Sequence, residues 1–554
     1  KYGQQSMKEV GMTKQLHLQS AGLIHTTAGY TNEITKTVNP SFLVVLLLIA
    51  ALIQVIACIN FMNLSTARAS RRAKEVGVRK VIGAGRKDLV GQFLGESLLL
   101  SLAGVLVALP LLALAMPYLN QITQTDVQLS LFADYRLWAM LAGLVMVTGL
   151  VAGSYPAFYL SAFQAIKVIK GNFINHISVA DLRRSLVVFQ FVLSIVLITG
   201  IIVIYSQLNY LKSKDLGFEK DQKLIFSFQS NEALSKLPAF MNDLRELAEV
   251  KAVSNADNYP GQFAVLRNRY LYLAGGNAAT APSAETMRTD AYYAKTLGIQ
   301  LVSGRDFRLQ DSSKVLVNET LCTKLGLDPA TAAGRRLYAG DEEMYEIAGV
   351  IKDFNYNSLR EKVKPLVLMH EPDGSRLPNL IVATNSRNYQ AMLEKVETLW
   401  QKNFPGLPFE YAFLDSEVQA QYETEITLSR IINSFTLVAI LISSLGLFGL
   451  AAFSVEQRTK EMGVRKVLGA SVFHLTTLLS KDFLGLVVVA VVIATPVSWW
   501  ATNQWLQNFA YKTAISWWMF AVAGLIAIFI ALLTISFQTI KAAMANPVKS
   551  LRTE

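Results

Sequence analysis

Charge is what this 554-residue sequence has least of. Asp, Glu, Lys and Arg together make up 17% of it, against about 25% in an ordinary soluble domain. Apolar types reach 52% and mean hydropathy is +0.34. That balance disfavours a soluble protein, and it excludes disorder, collagen and coiled coil. Cysteine is nearly missing: Cys58 lies in an apolar run and Cys322 in a polar region. Two cysteines cannot found a disulfide framework, and no bridge is expected. The five histidines, His17, His25, His176, His370 and His474, are scattered without metal-ligand spacing. No G-x-x-x-x-G-K-[ST] loop is present to cradle phosphates. The nearest string, Gly83-Ala-Gly-Arg-Lys-Asp, lacks the spacing. A G-x-S-x-G elbow is also missing. Catalytic, cofactor-binding and metal-binding residues are therefore not expected in this chain. The sequence opens on Lys1 and shows no basic stretch ahead of an apolar one. The expectation is the later part of something longer.

Long uncharged runs are abundant instead. Seven stretches hold no Asp, Glu, Lys or Arg: 40–67, 97–125, 137–166, 185–211, 431–455, 483–511 and 513–540. Crossing a hydrocarbon core of ~30 Å takes about 20 apolar residues in a helix. The competing reading, buried helices of a large soluble core, is disfavoured because such helices carry a polar stripe. Ion-coupled transporters place carboxylates or histidines inside the bilayer. None occurs in these runs, which argues against a proton antiporter and a hydrophilic pore. Gln54, Asn60, Asn63, Gln190 and Gln538 are read as hydrogen-bonding between helices.

Net charge is +11 and pI about 9.3, and the location of the charge decides its meaning. Segment 68–96 holds Arg68, Arg71, Arg72, Lys74, Arg79, Lys80, Arg86 and Lys87. Segments 167–184 and 456–482 and the tail from Lys541 are also basic, whereas the two short loops between them offer only Arg136 and Lys512. Positive residues mark the cytoplasmic side. The charge thus belongs to a membrane surface and to lipid, and no nucleic acid is expected as a partner. Trp499, Trp500, Trp517 and Trp518 read as an outer interfacial belt. The same orientation places 212–430 outside. It alternates strand-like runs (Leu224-Ile-Phe-Ser-Phe, Lys314-Val-Leu-Val, Glu346-Ile-Ala-Gly-Val-Ile) with helical ones (388–400), which predicts an α+β domain in two lobes.

The sequence also repeats itself. Arg72-Ala-Lys-Glu-Val-Gly-Val-Arg-Lys-Val-Ile-Gly-Ala84 matches Arg458-Thr-Lys-Glu-Met-Gly-Val-Arg-Lys-Val-Leu-Gly-Ala470 at all but three positions. The same offset carries Glu96 onto Asp482 and Pro110 onto Pro496, so the halves are copies of one unit. Glu75 and Arg79 stand four apart, as do Glu461 and Arg465, the favourable order for a helical ion pair. Val78, Val81 and Ile82 share one face, matched by Val464, Val467 and Leu468, and Gly83-Ala84-Gly85 and Gly469-Ala470-Ser471 break the helices. A short amphipathic helix between two spans is predicted in each copy. One such helix could simply lie on headgroups. Two near-identical ones, with the same Glu, Gly and Arg, argue for a protein that grips both.

These motifs resemble those of FtsX-like/MacB-like ABC transporter permeases in their duplicated, eight-span form. Ala57-Cys-Ile-Asn-Phe-Met-Asn-Leu-Ser-Thr-Ala, Leu445-Gly-Leu-Phe-Gly-Leu-Ala-Ala-Phe, Gly349-Val-Ile-Lys-Asp-Phe-Asn and the tail Asn546-Pro-Val-Lys carry the likeness further, although the first copy has Gln164-Ala165 where the second has Asn546-Pro547. The resemblance implies an α-helical membrane protein of two FtsX-like units with an α+β MacB-like periplasmic domain. Its expected segments are 1–39, the tail of a first periplasmic domain; 40–170, a first three-span unit; and 171–184, a cytoplasmic linker. They continue with 185–211, a span; 212–430, the periplasmic core domain; and 431–554, a second three-span unit. The first span and most of the first periplasmic domain are expected to be lacking.

The resemblance further implies a multi-pass protein of the cell inner membrane that is not itself an enzyme. An ABC-type ATPase, in two copies, would bind ATP and Mg and dock on the coupling helices. The docking residues would be Lys74, Glu75, Gly77, Arg79, Lys80 and Gly83, then Lys460, Glu461, Gly463, Arg465, Lys466 and Gly469. ATP-driven motion of periplasmic domains, called mechanotransmission, would serve efflux or extraction of a substrate, with a periplasmic adaptor as a further partner. Activation of a cell-wall hydrolase or peptide sensing by a regulatory subunit of the same build is the alternative; a receptor without an ATPase is a third.

Overall fold

An uncharged run longer than about 20 residues carries no ionised side chain into lipid, where a single segment can satisfy its own backbone only as a helix. The computed structural model describes residues 20, 40–67, 69–123, 135–161, 177–262, 266–277, 280–339, 343–372, 377–386 and 388–544. Apart from residue 20, the expected first-domain tail (1–39) lies outside them, as do 162–176, with part of the expected linker, and 545–554. The chain begins with helices α1 (Pro40–Ala67), α2 (Ala69–Val81), α3 (Arg86–Thr123), α4 (Tyr135–Ser161) and α5 (Ile177–Ser213).

An α/β region follows: β1 (Lys223–Ser227), α6 (Asn231–Arg245), β2 (Val250–Ala256), β3 (Arg267–Tyr270), β4 (Tyr272–Leu273), β5 (Ser283–Thr289), α7 (Tyr293–Leu297), β6 (Leu301–Gly304) and β7 (Lys314–Asn318). It continues with α8 (Glu319–Lys324), β8 (Arg336–Ala339), β9 (Glu343–Ile351), β10 (Leu366–His370), β11 (Asn379–Thr384), α9 (Tyr389–Asn403), β12 (Ala412–Phe413) and α10 (Leu414–Ala420). The chain returns to long helices with α11 (Glu423–Gln457), the short α12 (Thr459–Val467), α13 (Val472–Leu506) and α14 (Trp517–Met544).

Among the described residues, seven helices are long and apolar enough to cross a membrane, and they coincide with the seven uncharged runs. The protein is a multi-pass membrane protein with a separate mixed-sheet region. Several helices outrun their apolar segments. The 38 residues of α3 reach about 57 Å at 1.5 Å per residue, well beyond a hydrocarbon core, because charge is tolerated once the helix enters water. Pro110 and Pro496 both sit inside helices that continue past them.

Small residues let the spans approach. On α4, Gly149 and Gly153 face Leu98 and Ser97 of α3; an added Cβ would lie 2.6 and 2.5 Å from their side chains. Buried Ala490 and Ala494 of α13 and Ala523, Ala527 and Ala531 of α14 join Val187, Phe191 and Ile195 of α5 in the second copy's core. The copies meet where Gly446 and Gly449 of α11 receive Asn60 and Leu64 of α1. The offset of 386 maps Asn60 onto Gly446, so equivalent positions of the two copies touch. Asn60 donates to the Ile442 carbonyl (3.5 Å) and Gln54 to Thr148 (2.5 Å). Those two fulfil the expected interhelical role; Asn63, also buried, has neither amide atom hydrogen-bonded.

Two units divide the described chain. One takes the residues up to Ile204, Thr427–Thr502 and those from Ile515 on; the other takes Tyr205–Ile426 and Asn503–Ala514. The second unit extends beyond the expected 212–430 by the loop between α13 and α14. Gln207 explains the extension: its amide donates to the Tyr511 carbonyl (2.9 Å) and accepts from the Thr513 N–H (2.8 Å). Phe509 is buried in the same core, and the Arg360 guanidinium lies 5.6 Å from its ring centre.

The second unit is built on one twelve-stranded sheet, ordered β12-β1-β11-β2-β5-β10-β7-β9-β8-β4, with β3 on β5 and β6 on β9. Within this sheet β2 and β5 are joined by the single pair Ala256–Thr289, and one core cluster, with Ile225, Ile381, Leu316 and Leu368, runs across that point. Alternation along the strands sends Leu224 and Phe226 to a core with Phe240, Trp400 and Phe404, and Ile225 to the opposite face. Likewise Val315 and Val317 pack with buried Cys322, whereas Leu316 faces the other way. Buried Asp290 stitches the narrow point. It accepts from Ser254 Oγ (2.6 Å) and from the backbone of Asn255 (3.2 Å) and Tyr292 (3.0 Å). Desolvation pushes its pKa up to about 6 against those stabilising bonds.

Candidate functional site: the paired coupling helices

Glycine at the end of an amphipathic stretch sets where each short helix stops. In the first copy Gly83 has φ +104°, its N–H reaches the Lys80 carbonyl (3.1 Å), and the Ala84 N–H reaches Arg79 (3.0 Å). In the second, Gly469 has φ +92°, with the same bonds to Lys466 (3.1 Å) and Arg465 (3.0 Å). Both ends are Schellman caps, which need a residue in the left-handed region. Leu89 N–H and Leu475 N–H then start α3 and α13 from Gly85 and Ser471.

The ion pairs form as the spacing demands. Glu75 and Arg79 lie 2.7 Å apart, and Glu461 and Arg465 also 2.7 Å, with all four side chains about half exposed. Such exposed pairs contribute only a few tenths of a kcal/mol, so their value is orientation of the charges rather than stability. Val78, Val81 and Ile82 stand exposed on the first helix, and Val464, Val467 and Leu468 on the second; Ile82 is 81% exposed and Leu468 80%. The opposite face roots each helix. Val76 is buried with Leu89, Phe93 and Ala157, and Met462 with Leu475. Gly77 is buried as well. Each helix thus presents an apolar triad beside an oriented Glu–Arg pair.

The remaining expected residues are placed as follows. Lys80 donates to the Ser161 carbonyl at the end of α4 (2.6 Å), and burial together with nearby Arg86 holds its pKa below the ordinary lysine value. Lys466 is half-buried at the matching place on α12. The side chains of Lys74 and Lys460, and the surroundings of Gly463, lie outside the described positions. Sequence reasoning missed several partners. Gln92 accepts from Arg79 (2.6 Å), Arg458 pairs with Asp482 (3.3 Å), and Phe473, 81% exposed, extends the second apolar patch. The offset that joined Glu96 to Asp482 was the available signal for the Arg458 pair. Gln92 had none, since Leu478 stands at its repeat position.

Of the basic segments, 167–184 and 456–482 meet: Arg183 and Arg184 share a cavity with Arg458 and Asp482. Lys80 of segment 68–96 reaches the end of α4.

Comparison with known proteins follows this geometry. The family described as FtsX-like permease C-terminal matches residues 47–165 and 433–547, which enclose α2 and α12 respectively. The macrolide export ATP-binding/permease protein MacB of Wolinella succinogenes is 31% identical over 199 residues, 34% of this chain and 31% of that protein. MacB of Bdellovibrio bacteriovorus is 31% identical over 129 residues, covering 22% of this chain and 18% of its own. The pyoverdine export ATP-binding/permease protein PvdT of Pseudomonas putida is 28% identical over 121 residues, 22% of this chain and 18% of that one. The chain thus spans less than a third of the length of these curated relatives. Each copy is similar to that permease family over the matched residues, and the likeness extends to MacB and PvdT proteins.

Proposed function

Starting from two FtsX-like permease units in one chain, we propose that this protein is the permease subunit of an ABC transporter of the inner membrane. A separate ABC-type ATPase, in two copies, grips α2 and α12 and supplies the ATP and Mg chemistry that these residues lack. The observation that carries the reading is the duplicated lever: the same capped helix, the same Glu–Arg pair at 2.7 Å and the same exposed apolar triad occur twice. A lipid surface needs only positive charge and an apolar face, whereas two superimposable constellations suit two copies of one protein.

Nucleotide-driven movement of the levers passes along α5, α11, α13 and α14 to the mixed-sheet unit, which lies in the periplasm. The loop 503–514, held through Gln207 and Phe509, is the third connection besides α5 and α11. The relatives are macrolide and pyoverdine export proteins, which favours efflux or extraction of a substrate, with a periplasmic adaptor. Activation of a periplasmic hydrolase would use the same levers, and ATP-dependent export by the reconstituted complex separates the two.

Reversing charge at both levers, Glu75→Lys with Glu461→Lys, tests the docking. Co-purification of the ATPase should fall about tenfold or more, with membrane insertion unchanged; undiminished co-purification overturns the assignment. Single cysteines at Gln300 and Arg465 should label from opposite sides of the membrane. Labelling from one side would reject the orientation.

A further inference from the structure

Basic residues near span ends are ordinarily spread over a wetted surface. At the cytoplasmic end of the second copy they converge instead. We propose that this end carries a binding site for the phosphate of an anionic phospholipid, seated in a cavity between α5, α11 and α13 at the root of α12. The cavity holds roughly 200 Å³. At about 30 Å³ per water, that is room for a phosphodiester and part of its headgroup.

Three guanidiniums line it: Arg183 and Arg184 near the start of α5, and Arg458, the residue preceding α12. One carboxylate faces them. Asp482 of α13 lies 3.3 Å from Arg458. Arg184 also pairs with Asp181, at 3.5 Å on the exposed side. The excess of positive charge in the cavity favours an anion. Arginine is suited to it, because its planar fork meets two phosphate oxygens at once. The Arg183 guanidinium lies 5.7 Å from the Phe453 ring centre, which holds that fork at the cavity wall. The rest of the lining joins polar Ser454 and Gln457 to apolar Leu450, Phe453 and Phe483 among others. With guanidiniums and apolar side chains in one lining, the cavity has the composition of a lipid headgroup site on the cytoplasmic side of a helix bundle. A free phosphate would use the guanidiniums and leave the apolar wall without purpose.

The first copy supplies an internal contrast. A cavity at the corresponding place is lined by Leu64, Glu96, Ser97 and Leu100, the repeat counterparts of Leu450, Asp482, Phe483 and Leu486. Among the described residues it has no arginine or lysine in its lining. The repeat kept the carboxylate and two leucines, while the side chain of Arg72, the counterpart of Arg458, lies outside the described positions. Because Arg458 immediately precedes α12, an occupied site would tie the second lever to the inner leaflet.

The test uses the full chain in nanodiscs of phosphatidylcholine doped with phosphatidylglycerol, the bound lipid being counted by native mass spectrometry. Wild-type protein should retain phosphatidylglycerol over phosphatidylcholine. Arg183→Gln and Arg184→Gln should each lower that retention roughly fivefold, leaving phosphatidylcholine unchanged. Asp482→Asn should raise it above wild type, a gain that misfolding cannot produce. Glu96→Gln should leave it as it was. Equal retention of the two lipids, wild-type retention in the arginine variants, or no gain with Asp482→Asn would each overturn the proposal. Displacement of the lipid by millimolar inorganic phosphate, but not by chloride of equal ionic strength, would also overturn it in favour of a free-anion site.

Discussion

The two levers share their grip but not their surroundings. From Glu75 to Ala84 and from Glu461 to Ala470 the pairs, caps and exposed faces coincide. Just beyond, they part. The first copy continues Gly85-Arg86-Lys87-Asp88 and the second Ser471-Val472-Phe473-His474. Even the start of the next helix is solved by opposite halves of one device. In the first copy the Asp88 carboxylate accepts from the Gly85 N–H (3.0 Å). In the second the Ser471 hydroxyl accepts from the His474 N–H (3.2 Å). A capping box uses both bonds together; each copy keeps one. Repetition has preserved the lever itself and left its edge free to become cationic in one place and apolar in the other. The two short helices are therefore equivalent in shape and unequal in chemistry.

The largest expected effect lies at that edge. Phe473 is exposed, and burying a phenylalanine against a partner is worth about 1.5–3 kcal/mol. Phe473→Asp should weaken ATPase association about 10- to 100-fold, and the loss should persist at high salt. Lys87→Asp, at the matching position of the first copy, should weaken it less, and the difference should vanish as salt shortens the Debye length towards ~3 Å at 1 M. Pull-downs across a salt series read both. Equal salt sensitivity of the two variants would break the comparison and make the edges interchangeable.

A second change should show no asymmetry. Gly83 and Gly469 both adopt a positive φ with no atom within 4 Å of a built Cβ, so any cost of a side chain there is backbone strain alone. Gly83→Val and Gly469→Val should each destabilise the helix end by about 1–2 kcal/mol. Hydrogen exchange of the preceding turn measures it. A clear inequality between the copies would show that the levers are not built alike after all.

The legible parts of this fold were those with a local cause. Bilayer thickness imposes span length, so seven runs became seven helices. Spacing of four made the Glu–Arg pairs, and glycine stopped the helices. Leu224-Ile-Phe-Ser-Phe and Lys314-Val-Leu-Val were readable as strands β1 and β7 because their alternation reports a two-sided sheet. Strand order was not readable: β1 pairs with β11 and β12, partners far along the chain that no local pattern names. Loop 503–514 joins the mixed-sheet unit through Gln207, a residue with nothing in its neighbourhood to announce the contact. The cationic cavity was hidden for the same reason, since Arg183 and Arg458 belong to segments that only tertiary packing brings together.

The smallest expected difference is the most specific to the comparison. Arg79 has two acceptors, Glu75 at 2.7 Å and Gln92 at 2.6 Å. Gln92 is itself held to Glu96 (3.3 Å). Arg465 has Glu461 at 2.7 Å, but the position of Gln92 is taken by Leu478, which offers no oxygen. Neutralising the glutamates therefore removes unequal shares. With Glu75→Gln, Arg79 stays anchored to α3 through Gln92, and α2 should keep its exchange protection. With Glu461→Gln, α12 loses its intrahelical pair, worth about 0.2–0.5 kcal/mol, and should exchange up to about twofold faster. The measurement belongs to the chain without ATPase, where docking cannot mask it. If α2 frays as much as α12, the anchor to Gln92 carries no weight and the levers are alike in dynamics as well as in shape. If α12 alone responds, the second lever is the looser of the two before any partner binds, and an apolar edge that closes on contact is what such a lever requires.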